Sequence, residues 1–279
     1  VITTLKERAN ALFTNNSGNL TTDETVELNK IVGTLDEKLT LIDTVANAIK
    51  DITDNANALP ENVTSDNKTT IDEYVKAVET IESNYANNMT DEQKTALGAV
   101  KTDLTTQQEL LEALGNRLAK LEKDVDAVPA IDKVTMDDKE NIENLLNEIA
   151  NINNVSANHL TATEKTALAD MEAELRNKLG QITDLDAKVK ELANKVALME
   201  EKDVTSDDTN AIAQLADEIQ NVMTNHSGNL TPVQQSDLMG MKVTLSMKQA
   251  EIDEVVKAIK TIENANAKIP SVDTVTSDD

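Results

Sequence analysis

Residues 160–199 read LTATEKTALADMEAELRNKLGQITDLDAKVKELANKVALM. Thr161 and Glu164 match the Ser/Thr-x-x-Glu pattern of a capping box, in which the two side chains satisfy backbone N–H groups at a helix N-terminus. Apolar residues then recur at intervals of three or four, namely Leu168, Met171, Leu175, Leu179, Ile182, Leu185, Val189, Leu192, Val196 and Met199. This spacing predicts one long amphipathic helix with a continuous apolar face.

The same pattern occurs four times along the chain. The phrase Val-Thr-x-Asp begins at Val63, Val134, Val204 and Val275, at spacings of 71, 70 and 71 residues. The phrase Leu/Met-Thr begins at Leu20, Met89, Leu160 and Leu230, at spacings of 69, 71 and 70. Two phrases with one period indicate an internal repeat. We predict repeats at 1–62, 63–133, 134–203 and 204–274, with the first repeat beginning inside its first helix and 275–279 opening a fifth, as in a piece of a longer array.

Each repeat is predicted to begin with a short helix of ~20 residues. It starts at a capping Thr or Ser that acidic residues follow, which suits a helix N-terminus. Its apolar face is clearest in repeat three, at Ile142, Leu145, Ile149 and Ile152. We expect it to end at an aligned Gly or Asn in the left-handed C-cap conformation. These residues are Gly18, Asn87, Asn158 and Gly228.

A long helix is predicted to follow in every repeat. It opens with a capping box at Thr21–Glu24, Thr90–Gln93, Thr161–Glu164 and Thr231–Gln234, with Pro232 at the first helical position. Five glycines lie within these segments at positions that do not align between repeats, so we predict one continuous helix of ~36–38 residues. Pro60, Pro129 and Pro270 are expected to end three of the four helices, and Glu200 occupies the same position in repeat three.

The two helix lengths predict the topology. A short helix covers only half of a long one, so each three-helix bundle should combine the second half of one long helix, the next short helix and the first half of the next long helix. The expected fold class is therefore all-α, with tandem three-helix bundles that share long helices in an elongated, spectrin-like rod. Each bundle would advance on the order of 30 Å, and four would give on the order of 120 Å.

Composition excludes several classes of function. With 26 Lys and Arg against 51 Asp and Glu, the formal net charge is −25. Such a surface repels phosphate backbones and anionic membranes, so we expect no nucleic-acid partner and a monomeric rod. The sequence has no run of about 18 apolar residues, so we expect no membrane insertion. The chain has no Cys, which excludes disulfides, thiol nucleophiles and cysteine-based zinc sites.

The motifs indicate no enzyme. The sequence contains no Gly-rich phosphate loop, no Gly-x-Ser-x-Gly elbow, no His-Glu-x-x-His and no calcium-loop string. His159 and His226 lie in loops without a second ligand at metal-binding spacing, and we interpret them as solvated side chains. No catalytic, cofactor-binding or metal-binding residue is therefore predicted.

Three aromatic residues are the remaining candidates. Tyr74 aligns with Leu5, Leu145 and Leu215, which predicts a core position. Phe13 and Tyr85 align mostly with polar residues, so we expect both to be partly exposed. Exposed aromatics favour interfaces, which makes these two the candidate partner-binding residues. The alternative is that each packs locally against a helix end.

The residues Val134 to Ile142 and Leu160 to Leu168 resemble the helical repeats of large secreted, cell-wall-anchored proteins of Gram-positive bacteria. This resemblance implies an extracellular location, with wall attachment through regions outside these residues. It also implies two roles, because such modules space adhesive domains from the wall or bind host serum proteins such as immunoglobulin or albumin.

Three functions follow as hypotheses. The first is a non-enzymatic structural stalk in a bacterial surface protein or adhesin. The second is a multivalent host-protein binder, whose repeats would add avidity, and the third is an intracellular spectrin-like scaffold. The exposed positions of the four repeats share little beyond the caps, which favours the stalk.

Overall fold

The computed structural model describes residues 1–269, which form eight α-helices and no β-strand. The phrase at Val275, the residues 275–279 and Pro270 lie outside this range. The short helices are α1 (Ile2–Asn16), α3 (Lys68–Tyr85), α5 (Lys139–Val155) and α7 (Thr209–Asn225). The long helices are α2 (Thr22–Asn57), α4 (Asp91–Asp126), α6 (Ala162–Glu200) and α8 (Pro232–Asn266).

The four long helices are continuous, as predicted. They contain 36, 36, 39 and 35 residues, and their capping boxes form as the sequence indicates. α2 ends three residues before Pro60 and α4 ends three residues before Pro129, because proline cannot continue a helix. α6 has Glu200 at the corresponding position and extends as far as this residue, where it ends.

Gly180 tests the continuity of α6 in solution. It lies inside the helix, and a Cβ added there would meet no atom within 4 Å. Alanine loses less backbone entropy than glycine in a helix, so Gly180→Ala should stabilise the protein by about 0.5–1 kcal/mol. Chemical denaturation of the two proteins gives the sign. Destabilisation would instead mean that the chain turns at Gly180.

The short helices are shorter than expected. α3, α5 and α7 have 18, 17 and 17 residues, since each predicted threonine cap is followed first by a 3₁₀ turn. These turns are Ser65–Asn67, Met136–Asp138 and Ser206–Asp208. Thr64, Thr135 and Thr205 form capping boxes with the residue three positions later, and the α-helix begins after the turn.

The predicted left-handed caps at Gly18, Asn87, Asn158 and Gly228 are wrong. No residue in the range 1–269 has a positive φ. After α1 and α3 the chain stays right-handed at Ser17 and Ala86. The N–H of Asn19 then donates to the carbonyl of Asn16 at 2.9 Å, and that of Asn88 to Tyr85 at 2.8 Å. Such 3₁₀-type bonds satisfy the last carbonyls of a helix without a left-handed residue.

The chain divides into two compact units. Unit 1 comprises Val1–Ala119 and Asn154–Lys165, and unit 2 comprises Lys120–Asn153 and the chain from Thr166 onward. The core of unit 1 combines the second half of α2, α3 and the first half of α4; its fully buried members include Ile71, Leu97 and Leu104. A core in unit 2 combines the second half of α6, α7 and the first half of α8, and includes Leu192, Ile219 and Leu238.

Candidate functional site: the loop junctions

Loops from different repeats hydrogen-bond to each other at two places. In unit 1, Nδ1 of His159 lies 2.9 Å from the backbone carbonyl oxygen of Val63, so this nitrogen carries the proton. In unit 2, Nδ2 of Asn229 donates to the carbonyl oxygens of Ile131 and Val134, both at 2.8 Å. We call these the His159 junction and the Asn229 junction. Each joins segments 95–98 residues apart in sequence.

The two junctions are equivalent in the repeat. His159 and Asn229 both precede the Leu-Thr phrase, while Val63 and Val134 both open a Val-Thr phrase. Loops normally lie at the surface of a protein, but the apolar residues of these phrases are buried. Val63, Val134, Leu160, Leu230 and Asn229 itself are all buried. The recurring phrases therefore do more than start helices, since their apolar residues pack where the loops meet.

The solvated interpretation of His159 is wrong. Its ring is hydrogen-bonded and half-buried because the loop before α3 covers it. His226 is also half-buried, and its backbone N–H donates to the carbonyl of Val222 at 3.1 Å. The sequence contained one signal of this hydrogen bond: His159 aligns with Asn229, and both residue types present an N–H donor at this position.

Asn229 fits its junction through its chemistry. A primary amide carries two N–H donors, and here they serve two carbonyl groups. Asn19 and Asn88 occupy the same position in repeats one and two, yet both are exposed. Burial of this asparagine therefore depends on a partner loop and not on the residue type.

Position 228, beside Asn229, requires glycine because the backbone at Asp132 approaches it closely. A Cβ at this position would lie 2.3 Å from the carbonyl oxygen of Asp132. Gly18 aligns with it in repeat one, where a Cβ would meet no atom within 4 Å. The loop at the Asn229 junction thus has no room for a side chain at position 228.

We expect Gly228→Ala to destabilise the protein by about 1–3 kcal/mol, because the backbone at Asp132 must move. The matched control, Gly18→Ala, should be neutral or should stabilise by about 0.4–1 kcal/mol. Urea unfolding followed by circular dichroism measures both. Equal effects of the two changes would contradict the close approach.

Lysines at the middle of two long helices contact the end of the preceding long helix. Nζ of Lys178 lies 3.4 Å from the carbonyl oxygen of Val128, and the side chain is buried. Nζ of Lys248, at the same repeat position in α8, lies 3.3 Å from the carbonyl oxygen of Lys202. Both carbonyls lie just past a helix C-terminus, where a positive charge is favourable. Sequence reasoning missed these contacts, since a lone lysine usually indicates a solvated face.

Gln107 occupies this position in α4. Its Oε1 is buried without a hydrogen-bond partner within the described range, beside a cavity of about 320 Å³ that Ala56 and Asn57 of α2 also line. We expect Gln107→Lys to stabilise the protein by about 0.5–1.5 kcal/mol, because it removes the unpaired oxygen and supplies a cation to the C-terminus of α2.

The reciprocal change, Lys178→Gln, serves as the control and should lower the midpoint of thermal unfolding. A Gln107→Lys protein that unfolds at a lower temperature than the parent would show that the two positions are not equivalent.

The connection between α6 and α7 carries a further charged contact. The carboxylate of Asp208 accepts a hydrogen bond from the ammonium group of Lys202 and another, at 2.9 Å, from the backbone N–H of Thr205. The Lys202 ammonium, followed by the Thr205 N–H, holds the pKa of Asp208 below its usual value. The contact therefore fixes the start of α7 most firmly at pH values where this carboxylate is ionised.

Ligand chemistry is sparse in the described part of the chain. An open groove of about 540 Å³ lies between α6 and α8. Asp186 in this groove already pairs with Lys190 at 2.7 Å and accepts from Nε2 of Gln234 at 3.1 Å. Across residues 1–269, no three His, Asp or Glu side chains form a group that could hold a metal ion.

The candidate aromatic residues lie on different helices. Phe13 on α1 and Tyr85 on α3 are both half-buried. Tyr85 packs against the core of unit 1, as does Tyr74, which is half-buried rather than fully buried. This favours local packing for Tyr85, and partner binding by either residue stays a prediction.

These helices and loop junctions define an all-α protein. No protein-family model matches the chain, and neither a curated protein nor a solved structure is significantly similar to it. None of the helices within 1–269 combines the length and the apolar character needed to cross a membrane.

Proposed function

We propose that the chain is a non-enzymatic spacer, built of tandem three-helix bundles that share their long helices in an elongated, spectrin-like rod. One observation carries the proposal: each of two cores combines the second half of a long helix, the next short helix and the first half of the next long helix. A third set of buried residues falls at the equivalent positions, among them Leu121 of α4, Ile149 of α5 and Leu175 of α6.

The loop junctions support a spacer that resists bending. A long helix alone can bend, whereas hydrogen bonds between loops of different repeats oppose such bending. The His159 and Asn229 junctions and the contacts of Lys178 and Lys248 supply such bonds. The two junctions share one repeat position and the two lysine contacts share another, and such recurrence is what regular spacing requires.

The proposed setting is the surface of a bacterial cell, where the chain would project other domains away from the wall. The resemblance of Val134 to Ile142 and Leu160 to Leu168 to Gram-positive repeats supports this setting. The charge of −25 would keep neighbouring stalks apart, an effect that salt weakens.

Small-angle scattering tests the spacer. We compare the full chain with a variant that lacks residues 134–203, in which Lys133 is joined directly to the equivalent phrase at Val204. A compact particle of this length would have a radius of gyration of about 19 Å. We expect a clearly larger value for the full chain, and a maximum dimension that falls on the order of 30 Å upon deletion.

A radius of gyration near that of a compact particle would overturn the spacer. The same two proteins can be used to pull immunoglobulin and albumin from serum. If the shortened chain lost affinity out of proportion to the number of repeats removed, the multivalent binder would replace the spacer as the proposed function.

A further inference from the structure

One position of the long helices carries a lysine in three repeats and differs in α4. The residues at this position are Lys38, Gln107, Lys178 and Lys248 in repeats one to four. In α6 and α8 the lysine ammonium lies 3.4 Å and 3.3 Å from a carbonyl oxygen just past the preceding long helix. Gln107 is an uncharged amide, so α4 does not itself bring a cation to the end of α2.

Repeat three shows what holds an ammonium group at this position. Besides the carbonyl oxygen of Val128, Nζ of Lys178 lies 2.6 Å from Oε1 of Glu174, one turn earlier on α6. The Lys178 side chain is buried, and a buried charge is tolerated only where other groups compensate it. Here a carboxylate, a neutral oxygen acceptor and the C-terminal end of a helix do so.

The same three features surround Gln107 in unit 1. Asp103 aligns with Glu174 and lines the cavity beside Gln107. Oε1 of Gln107 is a buried acceptor without a hydrogen-bond partner among residues 1–269. Ala56 and Asn57 bring the C-terminal end of α2 to the same cavity. Unit 1 therefore has the carboxylate, the acceptor and the helix end, but its sequence places no lysine among them.

The cavity has room for an ammonium group and the alkyl chain that carries it. Its volume of about 320 Å³ lies at the lower end of the range of roughly 300–1,000 Å³ that is typical of small-ligand sites. Val100 and Leu104 contribute apolar lining, which suits methylene groups. Asp103 and Oε1 of Gln107 can only accept hydrogen bonds when the carboxylate is ionised, and an ammonium group can only donate them.

We propose that this cavity between α2 and α4 binds a primary alkylammonium group, carried by a small amine or by a lysine side chain of another molecule. The ammonium group donates hydrogen bonds to Oε1 of Gln107 and to the carboxylate of Asp103, and its charge is favoured by the C-terminal end of α2. The alkyl chain packs against Val100 and Leu104. In repeats three and four a lysine of the chain itself meets the helix end. This binding activity is additional to the spacer role and does not rest on it.

Nuclear magnetic resonance of the isotopically labelled full chain tests the proposal, with n-butylammonium chloride as the probe. Butylammonium reproduces the four-carbon chain and the ammonium group of a lysine side chain. The side-chain amide resonances of Gln107 should shift saturably, with a dissociation constant on the order of 1 mM for so small a ligand. Nα-acetyl-lysine methylamide presents the same group on a peptide backbone. Tighter binding of this compound would identify a protein lysine as the source, and tighter binding of butylammonium a free amine.

Two variants locate the site. Gln107→Lys supplies an ammonium group from the chain itself, so the backbone resonances of Asp103 and Leu104 should no longer respond to butylammonium. Asp103→Asn should weaken binding about tenfold or more, because the ammonium group loses its charged acceptor. Glu112→Gln is the matched control, since Glu112 is exposed on the same helix and does not line the cavity. It removes the same charge as Asp103→Asn and should bind like the parent.

Three other solutes separate this site from general effects. n-Butanol has the same alkyl chain without the charge, and tetramethylammonium has the charge without an N–H donor. Sodium chloride is titrated to the same ionic strength, because any cation screens a chain with a net charge of −25. Each should shift the Gln107 amide resonances at least about tenfold less than butylammonium at equal concentration. Circular dichroism on every variant checks that the helices remain folded.

The proposal is overturned if the Gln107 resonances do not respond saturably to butylammonium, or if butanol or sodium chloride produces the same response. It is also overturned if the Gln107→Lys protein binds butylammonium like the parent, because binding would then lie elsewhere. None of these results alters the radius of gyration of the chain. Failure of the amine site is therefore distinguishable from failure of the spacer.

Discussion

Replacing Ile182 by alanine is expected to lower the free energy of unfolding by about 2–5 kcal/mol, because the change leaves a cavity in a closely packed core. Ile182 in α6 is fully buried. Ile42 is the equivalent residue of α2 but remains about half exposed. Ile42→Ala should therefore cost about 1 kcal/mol or less, since little area is lost from the core and no enclosed cavity forms.

The two isoleucines occupy the same position of the repeat, so a difference between their stability losses reports the difference in burial and not in repeat position. Urea unfolding of the parent and both variants, followed by circular dichroism at low protein concentration, gives the two shifts in midpoint. Unchanged slopes would show that the shifts report stability and not a change in the unfolding transition. Similar costs for the two variants would contradict the difference in burial.

The helices could be predicted from the sequence because their signals are local. The capping boxes at Thr21 and Thr231, the proline at Pro232 and the apolar spacing of α6 each act within a few residues. The prolines likewise explain the helix ends: α2 and α4 stop three residues before their proline, whereas α6, which has Glu200 instead, reaches this repeat position. The expected C-caps failed for a related reason, since a glycine or asparagine after a helix permits a left-handed residue without requiring one.

Burial was less predictable, because it depends on which segments meet. Leu5 and Leu145 share a repeat position, but Leu145 is buried whereas Leu5 is 45% exposed. Lys178 looks like a solvated residue until the end of α4 is placed beside it. The partner of His159 lies 96 residues earlier in the chain. A local sequence pattern does not reveal a contact between residues so far apart.

The Asn229 junction should be the most sensitive point in the loops. Asn229→Asp keeps the size of the side chain but replaces its two N–H donors by a carboxylate, which can only accept hydrogen bonds. The carboxylate would face the carbonyl oxygens of Ile131 and Val134, which are also acceptors. We expect a loss of about 3 kcal/mol or more in stability, because a buried charge would be left unpaired and its desolvation uncompensated.

The loss should depend on pH with a defined sign. Burial among acceptors raises the pKa of the new carboxyl above its unfolded value, so the protonated form is favoured in the folded state. The difference from the parent should therefore be small at acidic pH and should grow as the pH rises towards neutrality. Unfolding curves at several pH values measure this difference directly.

Asn88→Asp is the matched control, because Asn88 holds the same repeat position but is exposed. Its carboxylate would be hydrated, so a small effect with no comparable pH dependence is expected. If the two variants behaved alike, the Asn229 side chain would be solvated and the junction open. If Asn229→Asp alone destabilises while the helical content is kept, the bonds between loops contribute stability that the helices do not supply. Scattering of that variant should then show a more flexible chain, as expected if the junctions limit bending.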